Sequence, residues 1–397
     1  MNRRDFFKGL AISAFTASVG SNLIEKADAF TVKTYPITTK FPEKDKLILY
    51  SERPPLLETP RQYFDRAITP NKLFFVRWHL ADIPTYVDLN SWRLKIQGNV
   101  KNLIEFSLDD LKTKFEPVSF YAVLQCSGNG RNFFKPKPKG IHWNHGAMGN
   151  ALWTGVRLKD ILNYAGIKSG SIEVAFDGLD KPPYPKTPDF IRSLPLDRVL
   201  EEDVILAYEM NNEPLPYLNG FPLRLIVPGW YATHWIKSVS RITVLDKPLK
   251  NFWMEKAYKL PDNDCECIKP GEKPEKTKTI TTMNVKSVIA KPLDNSIVKV
   301  GEVIKIAGVA FDYGSGIRDV LLSFDNGKTW EKANLGTYLG RYSFREWFFY
   351  YKPKKKGKLT IMSRAINNDG QMQPFEIGWN PGGYKWNVVD KVQINIV

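Results

Sequence analysis

Apolar and polar positions alternate along KLFFVRWHL (72–80) and SWRLKIQGNV (91–100), the two-residue period of half-buried strands. The run SFYAVLQC (119–126) is apolar almost throughout and predicts a buried strand that ends on a cysteine. SLDDLKTKF (107–115) opens on Ser107 with Asp109 and Asp110 in its first turn, the layout of a short capped helix. A second helix is predicted over VRLKDILNYAG (156–166), closed by Gly166. DVILAYEMNNEPLP (203–216), FPLRLIVPG (221–229) and KSVSRITVLD (237–246) complete a mixed α+β domain. Residues 30–70 are proline-rich and irregular, as expected of a segment wrapping over a surface.

The pattern changes after residue 246. LPDNDCECIKPGEKPEKTKT, rich in Lys, Pro, Asp and Glu, reads as a linker. Beyond it come short strands separated by turns: VKSVIA, GEVIKIAGVAF, RDVLLSF, RYSFREWFFYY, KLTIMSRAI and KVQINIV. Asp325-Asn326-Gly327-Lys328 predicts a hairpin turn, because Asn-Gly accepts the positive φ angles that such a turn needs. The expected architecture is α+β, a mixed α/β domain over 30–250, a linker over 251–280 and an immunoglobulin-like β-sandwich over 281–397. Sandwiches of this kind commonly join chains, so the last domain is a candidate dimerisation module.

Composition narrows the class. The 397 residues are 43% apolar and 13% aromatic, which describes a soluble globular protein with room for two cores. A formal charge of +15 suits an anionic partner, though a generally lysine-rich background explains it equally well. Zinc-finger spacing and RRM-type aromatics are both missing, so nucleic acid is not the expected partner. The first 29 residues have the layout of a cleavable export signal, with Arg3-Arg4, a mildly apolar stretch and Ala27-Asp28-Ala29. They resemble a twin-arginine signal, which implies a periplasmic protein exported already folded. The apolar stretch is too short for a permanent membrane anchor.

Three cysteines remain to be explained. Cys265 and Cys267 stand one residue apart, a spacing that reads as too tight for a comfortable disulfide, in an exposed loop with some metal affinity or vulnerability to oxidation. Cys126 opens the turn CSGNGR, where Gly128 and Gly130 let the backbone approach a ligand. Its sulfur is either a nucleophile or a soft metal ligand; the alternative is a small buried hydrophobe at a strand end. His79, His142, His145 and His234 give base or ligand candidates without a known signature, and zinc held by Cys126, His142 and His145 matches no common pattern. GNG also fails as a dinucleotide loop, since Phe133 occupies the third glycine position.

CSGNGR, KGIHW (139–143), GAMGNALWTGVRLKDIL (146–162), LAYEMNNEPLPYLNGFPLRLIVPG (206–229) and SFDNGKTWEKA (323–333), in that order, resemble the sulfite oxidase family of molybdenum enzymes, and most of all its bacterial periplasmic sulfite dehydrogenases. The resemblance implies that Cys126 binds molybdenum, whose other sulfurs come from a molybdopterin dithiolene. It implies a substrate ring of Arg77, Arg131 and Arg345, with Tyr208 beside the metal, Trp143 as a wall and Lys139 serving cofactor or substrate. His79, Arg224, Thr233, His234 and Lys237 occupy the stretches that bind the pterin, with the departure that His234 stands where the animal enzymes have arginine. His142 and His145 would be a polar rim or proton relay, or plain loop. The expected activity is oxidation of sulfite to sulfate. No haem domain or C-x-x-C-H site is found, so electrons are expected to pass to a separate c-type cytochrome. Alternatives are a sulfane dehydrogenase acting on carrier-bound sulfur, a relative reducing oxidised methionine or another oxyacid, and an exported scaffold protein without cofactor.

Overall fold

Two five-stranded sheets, beside a three-stranded one of Ile48–Glu52, Pro55–Glu58 and Val76–Arg77, carry the N-terminal half in the computed structural model, which describes residues 41–397; the expected signal segment lies outside these residues. Pro117–Gln125 pairs antiparallel with Met148–Arg157 along its whole length, from Pro117 opposite Val156 to Gln125 opposite Met148. Ile205–Met210 lies on the other edge of Met148–Arg157 and in turn holds Arg224–Ile226. The outer end of Pro117–Gln125 is partly exposed, whereas Ala122 to Gln125 are all buried, so the strand enters the core as it reaches Cys126. The second sheet runs in the order Ile104–Phe106, Leu94–Gly98, Arg241–Leu245, Glu173–Asp177, Arg192–Pro195.

Both helices form where the pattern places them. Ser107 accepts from the Asp110 amide while the Asp110 carboxylate accepts from the Ser107 amide, a reciprocal cap for Leu108–Lys114. Leu158–Ala165 buries Leu158, Ile161, Leu162 and Ala165, and stops at Gly166 in a left-handed conformation.

One predicted strand shrinks. Of residues 72–80 only Val76–Arg77 is strand, following a 3₁₀ turn over Asn71–Leu73. Phe74 and Phe75 are both buried, so this stretch packs on two sides instead of lying along a sheet. The alternation survives from 76 onward, with Val76, Trp78 and Leu80 buried and Arg77 and His79 on the other side.

The C-terminal half is a sandwich of two sheets. One contains Lys286–Lys291, Ile304–Phe311, Arg345–Tyr351 and Asn334–Leu335; the other contains Ile297–Val298, Asp390–Ile396, Gly357–Asn367, Ile317–Ser323 and Glu331–Lys332. Ile289, Ile306 and Trp347 from the first meet Val320, Leu322, Ile361 and Ile394 from the second. Asn326 and Gly327 both take positive φ in the hairpin turn, and the Asp325 carboxylate accepts from the amides of Lys328 and Thr329.

The segment read as a linker is folded. Lys259–Pro261 pairs with Thr277–Thr279, and Tyr258 and Leu260 are buried. Cys265 and Cys267 form a disulfide, which corrects the expectation from their spacing. Glu266 between them takes a left-handed φ of 50°, which sets the two Cα atoms 5.1 Å apart, within ordinary disulfide range.

The halves share one core: Val288, Val309, Phe311 and Phe344 of the sandwich pack with the N-terminal cluster, and Phe344 meets Phe64 edge to face. No described helix is long and apolar enough to cross a membrane.

Candidate active site

The turn after Pro117–Gln125 is tightly determined. The Cys126 amide donates to the Ala147 carbonyl, the Cys126 carbonyl accepts from the Asn129 amide, and the Asn129 side-chain oxygen accepts from the Ala147 amide. A Cβ at Gly128 would meet the Arg131 guanidinium at 2.5 Å. Gly130 has φ +91°, and a Cβ there would meet the Trp386 side chain at 2.6 Å. Glycine is therefore required for packing around the cysteine as well as for the turn itself.

Cys126 lines a cavity of about 480 Å³. Arg77, His79, Arg224, Thr233 and Lys237, all expected from sequence, line it too. Phe75, Leu124, Phe190, Leu218 and Trp235 form its apolar walls. The Lys237 ammonium donates to the Arg77 carbonyl at 2.8 Å and lies over the Trp78 ring. Burial, reinforced by Arg224, pushes its pKa well below the ordinary lysine value. Burial likewise brings Arg224 down to about 9. Three cationic side chains line this wall without a lining carboxylate among the described residues, an arrangement that calls for an anionic ligand.

Tyr258, from the segment read as a linker, is the residue that sequence reasoning missed. It lines the cavity, and its hydroxyl hydrogen-bonds the His79 Nε2. Burial raises its pKa, with the Arg77 charge opposing, while burial and the nearby cations hold His79 well below the usual histidine value. His79 stacks on Phe190 at 3.5 Å between centroids, which fixes its plane.

Other expected residues fall elsewhere. Tyr208 is buried on Ile205–Met210 with the Lys112 ammonium over its ring, and it does not line the cavity. Arg345 pairs in register with Ala310 inside the sandwich, over the ring of Tyr338, and lines a different cavity. The sandwich instead reaches the Cys126 turn through residues 382–386: Arg131 Nε donates to the Gly382 carbonyl at 2.7 Å, its guanidinium lies over Tyr384, and the Lys385 amide donates to the Ser127 carbonyl. Arg131 thus ties the turn to the sandwich and does not line the cavity. Trp143 is buried edge-on to Tyr50 and supports the turn from behind, where its carbonyl accepts from the Asn132 amide. Lys139 is exposed. His234 lies beside the cavity with Nε2 on the Ile280 carbonyl; burial, followed by the Arg192 charge, lowers it to about 3. His142 meets the Pro138 carbonyl, and His145 pairs with Asp390.

The lining fits a molybdopterin. Ser127 Oγ, His79 Nδ1, Arg224 Nε and Thr233 Oγ1 are buried without a partner, which is costly unless a polar ligand engages them. A flat heterocycle needs such hydrogen bonds, its phosphate needs the cations, and the soft sulfur of Cys126 suits molybdenum.

The chain matches the oxidoreductase molybdopterin binding domain over residues 80–253 and the Mo-co oxidoreductase dimerisation domain over residues 277–397. It is 32% identical to mitochondrial sulfite oxidase of Rattus norvegicus, over 88% of this chain and 66% of that protein. It is 31% identical to sulfite oxidase of Gallus gallus, over 92% of this chain and 81% of that protein. The crystal structure of the sulfane dehydrogenase SoxCD from Paracoccus pantotrophus superposes with a TM-score of 0.76 at 25% identity, covering 95% of this chain and 96% of that one. Fold and cavity together define a two-domain molybdopterin oxidoreductase. Within that class the chain belongs to the sulfite oxidase family. It spans just under two thirds of the length of the rat protein.

Proposed function

We propose that the protein is a periplasmic, molybdenum-dependent sulfite dehydrogenase that converts sulfite and water to sulfate, two protons and two electrons. The observation that carries this reading is the convergence of the Cys126 sulfur, the Arg77 and Arg224 guanidiniums and the Tyr258 hydroxyl on one cavity without a carboxylate in its lining. When bound, the molybdenum supplies the two-electron redox capacity and the transferable oxygen. Cys126 holds the metal. Arg77 and the neighbouring cations hold the oxyanion and offset its charge. Tyr258 Oη, bonded to His79, keeps a proton within reach of the reacting anion, and the apolar walls limit water. Sulfite-dependent reduction of ferricyanide by molybdenum-loaded protein tests the reading; a loaded protein without sulfite turnover overturns it.

The roles of the two tyrosines separate by mutation. Tyr258→Phe lowers turnover about 100-fold, the scale of a lost proton-transfer group, whereas Tyr208→Phe stays within about twofold of wild type in steady-state kinetics.

A second reading, oxidation of carrier-bound sulfane sulfur, is favoured by an open cleft of about 620 Å³ that borders Tyr258 and Tyr384 and is flanked by Lys256 and Lys259. Such a cleft admits a substrate arm larger than sulfite, and a loaded protein that oxidises a persulfide-bearing carrier but not sulfite would establish it. Electrons pass to a c-type cytochrome, which reduction of purified cytochrome c in place of ferricyanide tests. The sandwich joins two copies into a homodimer, and a monomer in sedimentation at micromolar concentration would refute this.

A further inference from the structure

The strand Arg345–Tyr351 starts beside Phe344, which packs on the N-terminal half, and ends about 20 Å further on at the far end of the sandwich. There three segments are joined through their backbones. The Gly301 amide donates to the Pro353 carbonyl at 2.9 Å, the Val300 amide to the Val397 carbonyl, and the Val397 amide to the Val298 carbonyl. Ile304 lies opposite Tyr351, and Asn395 pairs with Ile297 on one side and Lys358 on the other. The stretches 297–304, 351–358 and 395–397 therefore make one surface.

Two kinds of side chain dominate it. Lys299, Lys352, Lys354, Lys355, Lys356 and Lys358 are all exposed, and none pairs with a carboxylate among the described residues. Glu302, the acidic residue of these stretches, directs its carboxylate to the Lys299 amide. Beside the lysines, Ile297, Val300 and Val303 are 73%, 40% and 59% exposed, each three positions from the next. A single exposed aliphatic side chain is ordinary; a group of them set among unpaired lysines calls for a partner that is both anionic and apolar. An anionic phospholipid bilayer is such a partner, with phosphates at its surface and hydrocarbon below. All six cations are lysines, compact charges on flexible stems that can follow mobile headgroups; no arginine is present for the fixed bidentate contacts that favour a protein carboxylate or a base edge. A nucleic acid would also leave the aliphatic side chains in water.

We propose that this end of the sandwich docks the protein on an anionic bilayer, with the lysines on headgroup phosphates and Ile297, Val300 and Val303 reaching into the headgroup layer. The contact is peripheral and reversible. The surface shares no residue with the Cys126 cavity, and the proposal does not depend on what that cavity binds.

The test measures co-sedimentation of the full chain with vesicles of phosphatidylcholine, alone or mixed with phosphatidylglycerol, at low and high salt. Wild type is expected to bind only the mixed vesicles, and several-fold more weakly at high salt. The triple variant Lys354→Glu, Lys355→Glu, Lys356→Glu is expected to lower the affinity at least about tenfold. A control triple, Lys168→Glu, Lys247→Glu, Lys250→Glu, changes the net charge equally at exposed positions of the N-terminal half and should lose no more than about threefold. The double variant Ile297→Ser, Val303→Ser leaves the charge untouched and should bind several-fold more weakly. All the replaced side chains are exposed, so unfolding midpoints should match that of wild type, which separates lost docking from lost fold. A wild-type protein that ignores the mixed vesicles, or equal losses in the two lysine triples, overturns the proposal. Undiminished binding by the Ile297→Ser, Val303→Ser protein overturns the apolar contact and with it the choice of a bilayer. Tighter binding to duplex DNA than to vesicles, lost in the 354–356 variant, overturns it in favour of nucleic acid.

Discussion

Replacing Cys126 by serine is expected to lower sulfite-dependent turnover by far more than the roughly 10- to 100-fold that loss of an outer partner of a metal site costs, while the fold survives. The backbone makes this separation of effects possible. The turn is held by the Cys126 amide on Ala147, by Asn129 on both Cys126 and Ala147, and by Arg131 on Gly382 and Ile141, and none of these bonds uses the sulfur. Serine fits the same volume but offers a hard hydroxyl where the proposed metal site calls for a soft thiolate. The checks are turnover, molybdenum per protein and the thermal unfolding midpoint. An active, molybdenum-loaded Cys126→Ser protein would remove Cys126 from the metal.

How much of the site could be read in the sequence depended on distance along the chain. The Cys126 turn was legible because its glycines, its cysteine and the strand leading into it are contiguous, so local chemistry carries the signal. Arg77 and His79 were picked out by the family resemblance, and the structure sets both on one side of a stretch whose other side is buried. Tyr258 was not. It sits between a short helical turn and a three-residue strand in a lysine- and proline-rich segment, and only pairing with Thr277–Thr279 makes that segment ordered. Tyr208, by contrast, was expected through the family resemblance of its stretch, and its strand places it beneath the Lys112 ammonium.

The sandwich shows the same limit. Its contribution to the site was expected through Arg345, in a well-patterned strand, yet the register that buries Trp347 in the sandwich core sets Arg345 opposite Ala310 and away from Cys126. Contact comes instead from GWNPGGYKWN (378–387), whose three glycines and single proline interrupt any helix or strand period. There Gly382 offers a carbonyl to Arg131, Tyr384 stacks on Tyr258 at 5.7 Å, and Trp386 packs against Gly130. A turn carries no periodicity from which its partner could be inferred.

That segment leads directly into Asp390, and removing its charge is the change expected to cost the most stability. Asp390 of the sandwich is 4% exposed and pairs with Arg61 and His145 of the N-terminal half. It also accepts from the Ile289 amide. Burial is the largest single effect and raises its pKa, but the Arg61 charge, His145 and the Ile289 amide together outweigh it and hold the carboxyl well below the usual range. His145 is driven to about 4, chiefly by burial, so near neutral pH the pair is Asp390 and Arg61, with His145 an uncharged neighbour. Asp390→Asn leaves the Arg61 charge without its partner, and loss of one member of a buried pair costs about 3–5 kcal/mol. Arg61→Met alone is expected to cost a similar amount, and the double variant less than the sum of the two, since neither charge is then left unpaired. The pH dependence follows from the signs. A carboxyl depressed in the folded state contributes stability that is complete above the unfolded value near 3.9 and fades as pH falls below it. A histidine kept neutral by burial costs stability as pH falls from its unfolded value of about 6.5 toward 4, because only the unfolded chain takes up the proton there. Urea unfolding of wild type should therefore weaken first as pH falls below about 6.5, through His145 together with the buried His79 and His234, and further below about 3.9 through Asp390 and the other depressed carboxyls, and Asp390→Asn should show a smaller second phase while keeping the first. Equal stability of Asp390→Asn and wild type at pH 7 would show that this ion pair adds nothing to what holds the two halves together.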